Sequence, residues 1–99
     1  MTETETNEPG VPIDDWSVVC RRLRVWCERA GTYRETERNG VDCATCEFGG
    51  PTRFAVTRDG RVDTGMPLHE FEGVARRLAF TENAVRVIGD DVAYTFRRP

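Results

Sequence analysis

The sequence predicts one small α+β domain, and three patterns in the chain carry that prediction. Apolar side chains recur every three or four residues between positions 16 and 30, which is typical of an amphipathic helix. Asparagine-glycine at 39–40 and aspartate-glycine at 59–60 separate short extended segments, as the turns of β-hairpins do. Pro67 precedes a second run of apolar residues at helical spacing. We therefore expect antiparallel hairpins covered by two helices.

The charge composition restricts the partners that the protein can bind. All fourteen basic residues are arginine, and seventeen acidic residues give a net charge of -3. Three of the acids, Glu3, Glu5 and Glu8, lie in the first ten residues, so the rest of the chain is close to neutral. Non-specific binding to nucleic acid depends on positive charge and weakens steeply with salt. The composition therefore argues against nucleic acid as a partner.

The sequence also predicts the cellular compartment of the protein. No apolar run approaches the roughly 18 residues that a membrane-spanning helix needs, and the first residues lack the basic-then-apolar pattern of a signal peptide. We therefore expect a cytoplasmic protein with no membrane partner. In that compartment the four cysteines are expected to be reduced, buried or metal-bound rather than paired as disulfides.

The chain begins with a polar segment. Residues 1–13 are acidic and are interrupted by Pro9, Gly10 and Pro12, which predicts a disordered tail before a single domain over residues 14–99. The first helix follows, with an aspartate at 14 or 15 as its N-cap and Gly31 just after its end. Its apolar positions are Trp16, Val19, Cys20, Leu23, Trp26, Cys27 and Ala30.

Three hairpins and a second helix complete the prediction. Residues 32–50 form the first hairpin, which turns at 39–40 and carries a loop with two cysteines at its far end. Residues 53–64 form the second hairpin. The second helix starts at Pro67, and the last hairpin turns at 89–91. The apolar positions of the second helix are Leu68, Phe71, Val74, Ala75 and Leu78.

Cys43 and Cys46 form the strongest candidate for a chemical site. Two thiols separated by two residues occur in zinc sites and in redox dithiols, and His69, the single histidine, is the natural third zinc ligand. Cys20 or Cys27 could supply the fourth. These two lie about 10 Å apart along the helix, so they cannot both bind one ion. The alternative is a metal-free hairpin with two buried thiols. Redox catalysis is disfavoured because no helix begins directly after the motif.

The remaining patterns favour binding over catalysis. The chain has no glycine-rich phosphate loop and one histidine, so we do not expect an enzyme. We expect a small binding or regulatory module, stabilised by zinc if the metal site forms, that acts through protein–protein contact. The partner is another protein or a second copy bound through the face of Trp16, Leu23 and Trp26. An accessory role in nucleic-acid binding, through the arginine-rich helix faces, is the alternative.

The segment from Asn39 to Cys46 reads Asn-Gly-Val-x-Cys-x-x-Cys, and further matches include His69 and a terminal Tyr-x-Phe-Arg at residues 94–97. In these positions the chain resembles small haloarchaeal proteins known as flagella cluster proteins. Arginine without lysine is similar to haloarchaeal composition. The resemblance implies a zinc-ribbon-like module. The family's CPxCG knuckle differs here at Ala44 and at Glu47.

Overall fold

The computed structural model describes residues 10–65, 70–90 and 93–99. In these ranges the chain is mostly β, with one helix, α1 (Trp16–Cys27), and nine strands. The strands are β1 (Val11–Pro12), β2 (Thr32–Arg38), β3 (Val41–Glu47), β4 (Arg53–Thr57), β5 (Arg61–Gly65), β6 (Glu70–Val74), β7 (Arg77–Phe80), β8 (Ala84–Ile88) and β9 (Ala93–Arg97). None of the helical structure described is long and apolar enough to cross a bilayer.

The strands form two antiparallel sheets. Sheet A has five strands in the order β2-β3-β4-β5-β6, and sheet B has four in the order β1-β7-β8-β9. Helix α1 connects β1 of sheet B to β2 of sheet A and packs against strands of both sheets. The predicted α+β class with two helices is therefore wrong: the described chain is a small, mostly β domain with a single short helix.

Strands β6 and β7 replace the predicted second helix. Val74, an apolar position of that helix, is 59% exposed, whereas Leu78 is fully buried. Leu78 lies between Val11 of β1 and Val87 of β8, so neighbours on both sides pack around it. Gly73, which costs about 1 kcal/mol in a helix, pairs with β5. The pairing of β6 in sheet A and of β7 in sheet B thus outweighs the helical spacing of a few apolar residues. Residues 66–69 lie outside the described ranges.

Helix α1 confirms the first predicted helix, although it ends at Cys27 rather than at Ala30. The amide of Gly31 donates a hydrogen bond of 2.8 Å to the carbonyl oxygen of Cys27. A Cβ atom at Gly31 would lie 2.5 Å from the carbonyl oxygen of Glu47, so glycine permits the close approach of this turn to β3. The buried residues of the helix are Val19, Leu23, Trp26 and Cys27.

The hairpin of β2 and β3 is present, but its cysteines do not lie in a loop. Asn39 and Gly40 adopt positive φ angles of 54° and 79°, as a two-residue hairpin turn requires. Strand β3 then continues through Glu47 and pairs with β2 on one side and β4 on the other. The cysteine pair is therefore part of an internal strand of sheet A. This position decides which way each sulfur points.

The folded part begins earlier than predicted. Val11 and Pro12 form β1 along the edge of β7, and Val11 and Ile13 are 7% and 6% exposed. The disordered tail was predicted to extend through residue 13, so its last residues belong to sheet B instead. The reason is local: two apolar side chains flank Pro12, and an edge strand tolerates proline. Residues 1–9 lie outside the described ranges.

Phe96 joins the two sheets, the helix and a loop. Strands β8 and β9 form the predicted last hairpin, in which Phe96 pairs with Val85. The ring of Phe96 lies 5.5 Å from that of Phe54 in sheet A, 5.9 Å from Phe48 and 6.3 Å from Trp26 of α1, measured between centroids. These aromatic contacts make the core between the sheets continuous and fix where α1 lies.

Candidate interaction groove

Cys46 of the predicted metal pair is bonded to Cys27. The disulfide links β3 to the last residue of α1, and both cysteines are fully buried. The expectation of four unpaired cysteines is therefore wrong. The pairing could not be read from spacing, because the two residues are 19 positions apart and meet only when α1 packs on sheet A. Cys20 and Cys43 have free thiols.

Cys43 and Cys46 point to opposite faces of sheet A. Side chains alternate along a strand, so positions separated by three residues face opposite ways. Cys46 pairs with Phe54 in the core, whereas Cys43 pairs with Thr57, and its Sγ lies 3.7 Å from Oγ1 of Thr45. The two sulfurs therefore do not converge on one ion.

The third predicted ligand, His69, lies outside the described residues. Within the described ranges no group of three or more histidine, cysteine, aspartate or glutamate side chains is placed to hold a metal ion. A zinc site at Cys43, Cys46 and His69 stays a prediction. The two cysteines described here do not fit such a site while the disulfide is intact.

Cys20 is the free thiol with polar neighbours. Its side chain forms a hydrogen bond with Tyr33, whose Oη donates to Oε2 of Glu35 at 2.7 Å. Burial raises the pKa of Cys20 above its ordinary value of 9.0; the Tyr33 hydrogen bond opposes this shift, and Glu35 adds to it. A thiol with a raised pKa holds little thiolate near neutral pH, so this arrangement disfavours nucleophilic chemistry.

Alkylation should therefore be slow at Cys20. Near pH 8, iodoacetamide is expected to modify Cys20 several-fold more slowly than a free cysteine in a peptide, because only the thiolate reacts. Peptide mapping by mass spectrometry measures both rates. Labelling as fast as the peptide control would contradict the raised pKa.

Half of the fourteen arginines lie beside carboxylates. Seven ion pairs within the described ranges use a different arginine each, and these seven arginines lie on six different elements or connecting segments. Arg38 and Arg53, on β2 and β4, both contact Asp63 of β5. Opposite charges therefore alternate over the surface, and the arginines do not gather into one basic face.

The arginines of one helix face are different, because they surround an apolar groove. Arg21, Arg22 and Val25 of α1 line the groove together with Arg29 of the turn that follows the helix, opposite the residues at the end of β7 and just after it. The groove between them has a volume of about 560 Å³. Its lining residues are Arg21, Arg22, Val25, Trp26, Arg29, Phe80, Thr81 and Glu82, and we call it the α1–β7 groove.

The groove combines an exposed apolar floor with a positive rim. Val25 is 62% exposed, which makes it one of two large apolar side chains open to solvent in the described chain. The guanidinium of Arg22 lies 5.2 Å from the centre of the Phe80 ring. The single carboxylate of the rim, Glu82, lies 4.0 Å from Arg29, and both side chains are exposed, so this pair is weak. The rim thus keeps an excess of positive charge.

A larger cleft lies elsewhere and has balanced charges. It has a volume of about 680 Å³ and lies between β1, the turn after β4 and the start of β7. Arg76 donates to both carboxylate oxygens of Asp90, at 2.6 and 3.1 Å, and Arg58 pairs with Asp42. Two of its three arginines, Arg58 and Arg76, are already bound to carboxylates, and Arg77 donates to the carbonyl oxygen of Gly10, so the cleft offers less to a charged ligand than the α1–β7 groove.

The groove is not the surface that the helix pattern indicated. Leu23 and Trp26 of the predicted dimer face are 0% and 5% exposed, because they pack inside the chain. Trp16 is half-buried. Val25 was missed because it lies off the apolar stripe of α1. The sequence did contain a signal for this surface: Val25 is an apolar residue among arginines on the polar side of the helix.

Comparisons of the chain with protein-family models, with curated proteins and with solved structures found no match. The case for a function therefore rests on the geometry of the groove.

Proposed function

We propose that the protein is an interaction module that binds an acidic segment of a partner protein in the α1–β7 groove. The observation that carries the proposal is Val25, an apolar side chain 62% exposed inside a rim of three arginines and one glutamate. An exposed apolar floor with a polar rim is typical of a contact surface. The role is binding rather than catalysis.

The chemistry of the rim selects the partner. Arginine binds carboxylates through two parallel N–H bonds, which gives direction as well as charge attraction. Covering the exposed part of Val25 contributes about 1–2 kcal/mol. Each rim pair adds up to about 1 kcal/mol at the surface. The sum favours a weak, salt-sensitive complex with a segment that has an apolar residue between acidic ones.

A second copy of the chain, the other partner expected from the sequence, is a weaker candidate than an acidic segment. A dimer through Trp16, Leu23 and Trp26 would require two core side chains to leave the core, which costs more than their contact with a copy could return. Nucleic acid is also less well supported, since half of the arginines lie beside carboxylates and the ion pairs are spread over the surface. We also propose a cytoplasmic location. The full burial of Cys27 and Cys46 protects their bond from attack by cellular thiols there.

Replacing Val25 by glutamate should weaken binding of an acidic segment by about tenfold. The change removes the apolar floor and puts a negative charge inside the arginine rim, so it opposes both parts of the attraction. A short synthetic peptide that alternates glutamate with leucine serves as the probe. Its affinity is measured by calorimetry at low and at moderate salt.

Val74→Glu is the matched control. Val74 is exposed to a similar extent, 59%, but it lies on β6 away from the groove, so this variant should bind the peptide like the unaltered protein. Equal affinity of the two variants would overturn the proposal. A duplex DNA of matched charge is titrated in parallel. Tighter binding of the duplex, lost in the Val25→Glu variant, would favour the nucleic-acid function instead.

A further inference from the structure

Strand β1, followed from Pro12 back to Val11, runs along β7 toward the end of β7 that lines the α1–β7 groove. β1 runs antiparallel to β7, with Val11 opposite Leu78 and Pro12 opposite Arg77. Going toward the N-terminus, the chain therefore passes β7 in the direction of Phe80, which lines the groove. The carbonyl oxygen of Gly10, the first described residue, accepts a hydrogen bond of 2.8 Å from Nη2 of Arg77, which holds Gly10 against β7.

The segment before Gly10 has the negative charge that the arginine rim of the groove attracts. Residues 1–9 contain three glutamates, Glu3, Glu5 and Glu8, and no basic side chain. The groove presents three arginines and one glutamate. An extended chain of this length covers up to about 30 Å, which is enough to reach along the groove. The charge and length of residues 1–9 and the direction of β1 are thus all compatible with docking in the groove.

We propose that residues 1–9 dock in the α1–β7 groove of their own chain and compete with an acidic partner. This inference rests on the proposed function, since it assigns a regulator to the same groove. A short tether gives an effective concentration of about millimolar, so weak contacts are sufficient for docking in cis. The contacts are electrostatic and partly exposed, and salt should therefore release the segment.

The test compares full-length chains that differ in charge at the N-terminus. In one variant Glu5→Gln and Glu8→Gln are combined. The matched control combines Glu37→Gln and Glu72→Gln, two exposed positions on β2 and β6, and changes the net charge equally. The amide signals of groove residues are recorded by NMR for each chain. The glutamate–leucine peptide is then titrated into each.

The N-terminal variant is expected to shift the amide signals of the groove and to bind the peptide about three- to tenfold more tightly than the unaltered chain. The control variant should do neither. If the peptide binds all three chains in the groove with equal affinity and the amide signals do not move, docking in cis is overturned while the proposed function stands. If the peptide fails to bind the N-terminal variant, the proposed function fails, and this inference fails with it.

Discussion

Replacing Phe96 by alanine is expected to lower the free energy of unfolding by about 3–5 kcal/mol. Phe96 is fully buried, and its ring contacts Phe54 of sheet A, Phe48 of the loop after β3 and Trp26 of α1. The truncation therefore opens a cavity where three parts of the fold meet, and no single neighbour can fill it. Since small domains are stable by only about 5–15 kcal/mol, this loss is a large share of the total.

Urea unfolding, followed by tryptophan fluorescence and by circular dichroism, measures the change. Phe96→Leu keeps most of the volume and should cost less than about 1.5 kcal/mol. Val74→Ala is the surface control and should change stability by no more than about 0.5 kcal/mol. A loss below about 1 kcal/mol for Phe96→Ala would show that the two sheets do not depend on this aromatic contact.

Local signals in the sequence were sufficient for several elements. The turns at 39–40 and 59–60 depend on residues that tolerate positive φ, and Asn39, Gly40 and Gly60 adopt such angles. The periodicity of α1 was also reliable, because its apolar stripe extends over the whole helix. In each case the residues that decide the conformation are close together in the chain.

The errors arose where distant segments decide the structure. The spacing of apolar residues after Pro67 fits a helix, but Leu78 is buried by strands on both sides of it. The spacing of Cys43 and Cys46 fits a knuckle in a turn, but an internal strand separates the two sulfurs onto opposite faces. Neither the partners of β7 nor those of β3 could be deduced from local pattern.

The groove could be predicted only in part. The arginines on the outer side of α1 were visible as a possible binding face, but their neighbours at the end of β7 were not, because that segment was expected to be helical. Val25 forms a groove only together with Phe80, which lines its other side. A site formed between two elements requires the tertiary structure, whereas its charge is already present in the sequence.

Removing the disulfide should cost about 3 kcal/mol of stability. The bond closes a loop between residues 19 positions apart, and restricting the unfolded chain by a loop of that length is worth about 3 kcal/mol in the chain-entropy treatment. The variant that combines Cys27→Ala and Cys46→Ala should therefore unfold at a clearly lower urea concentration than the oxidised protein. Because both sulfurs are buried, some lost packing adds to this cost.

Reductant supplies the internal control. A reducing phosphine should lower the unfolding midpoint of the unaltered protein toward that of the double variant, and it should leave the double variant unchanged. Thiol counting in denaturant should give two free thiols before reduction and four after it. If four thiols are found without reductant, the four cysteines are unpaired, and Cys46 becomes available as a ligand. In that state zinc should raise the unfolding midpoint only if Cys43, Cys46 and His69 converge after all, since binding to the folded state stabilises it.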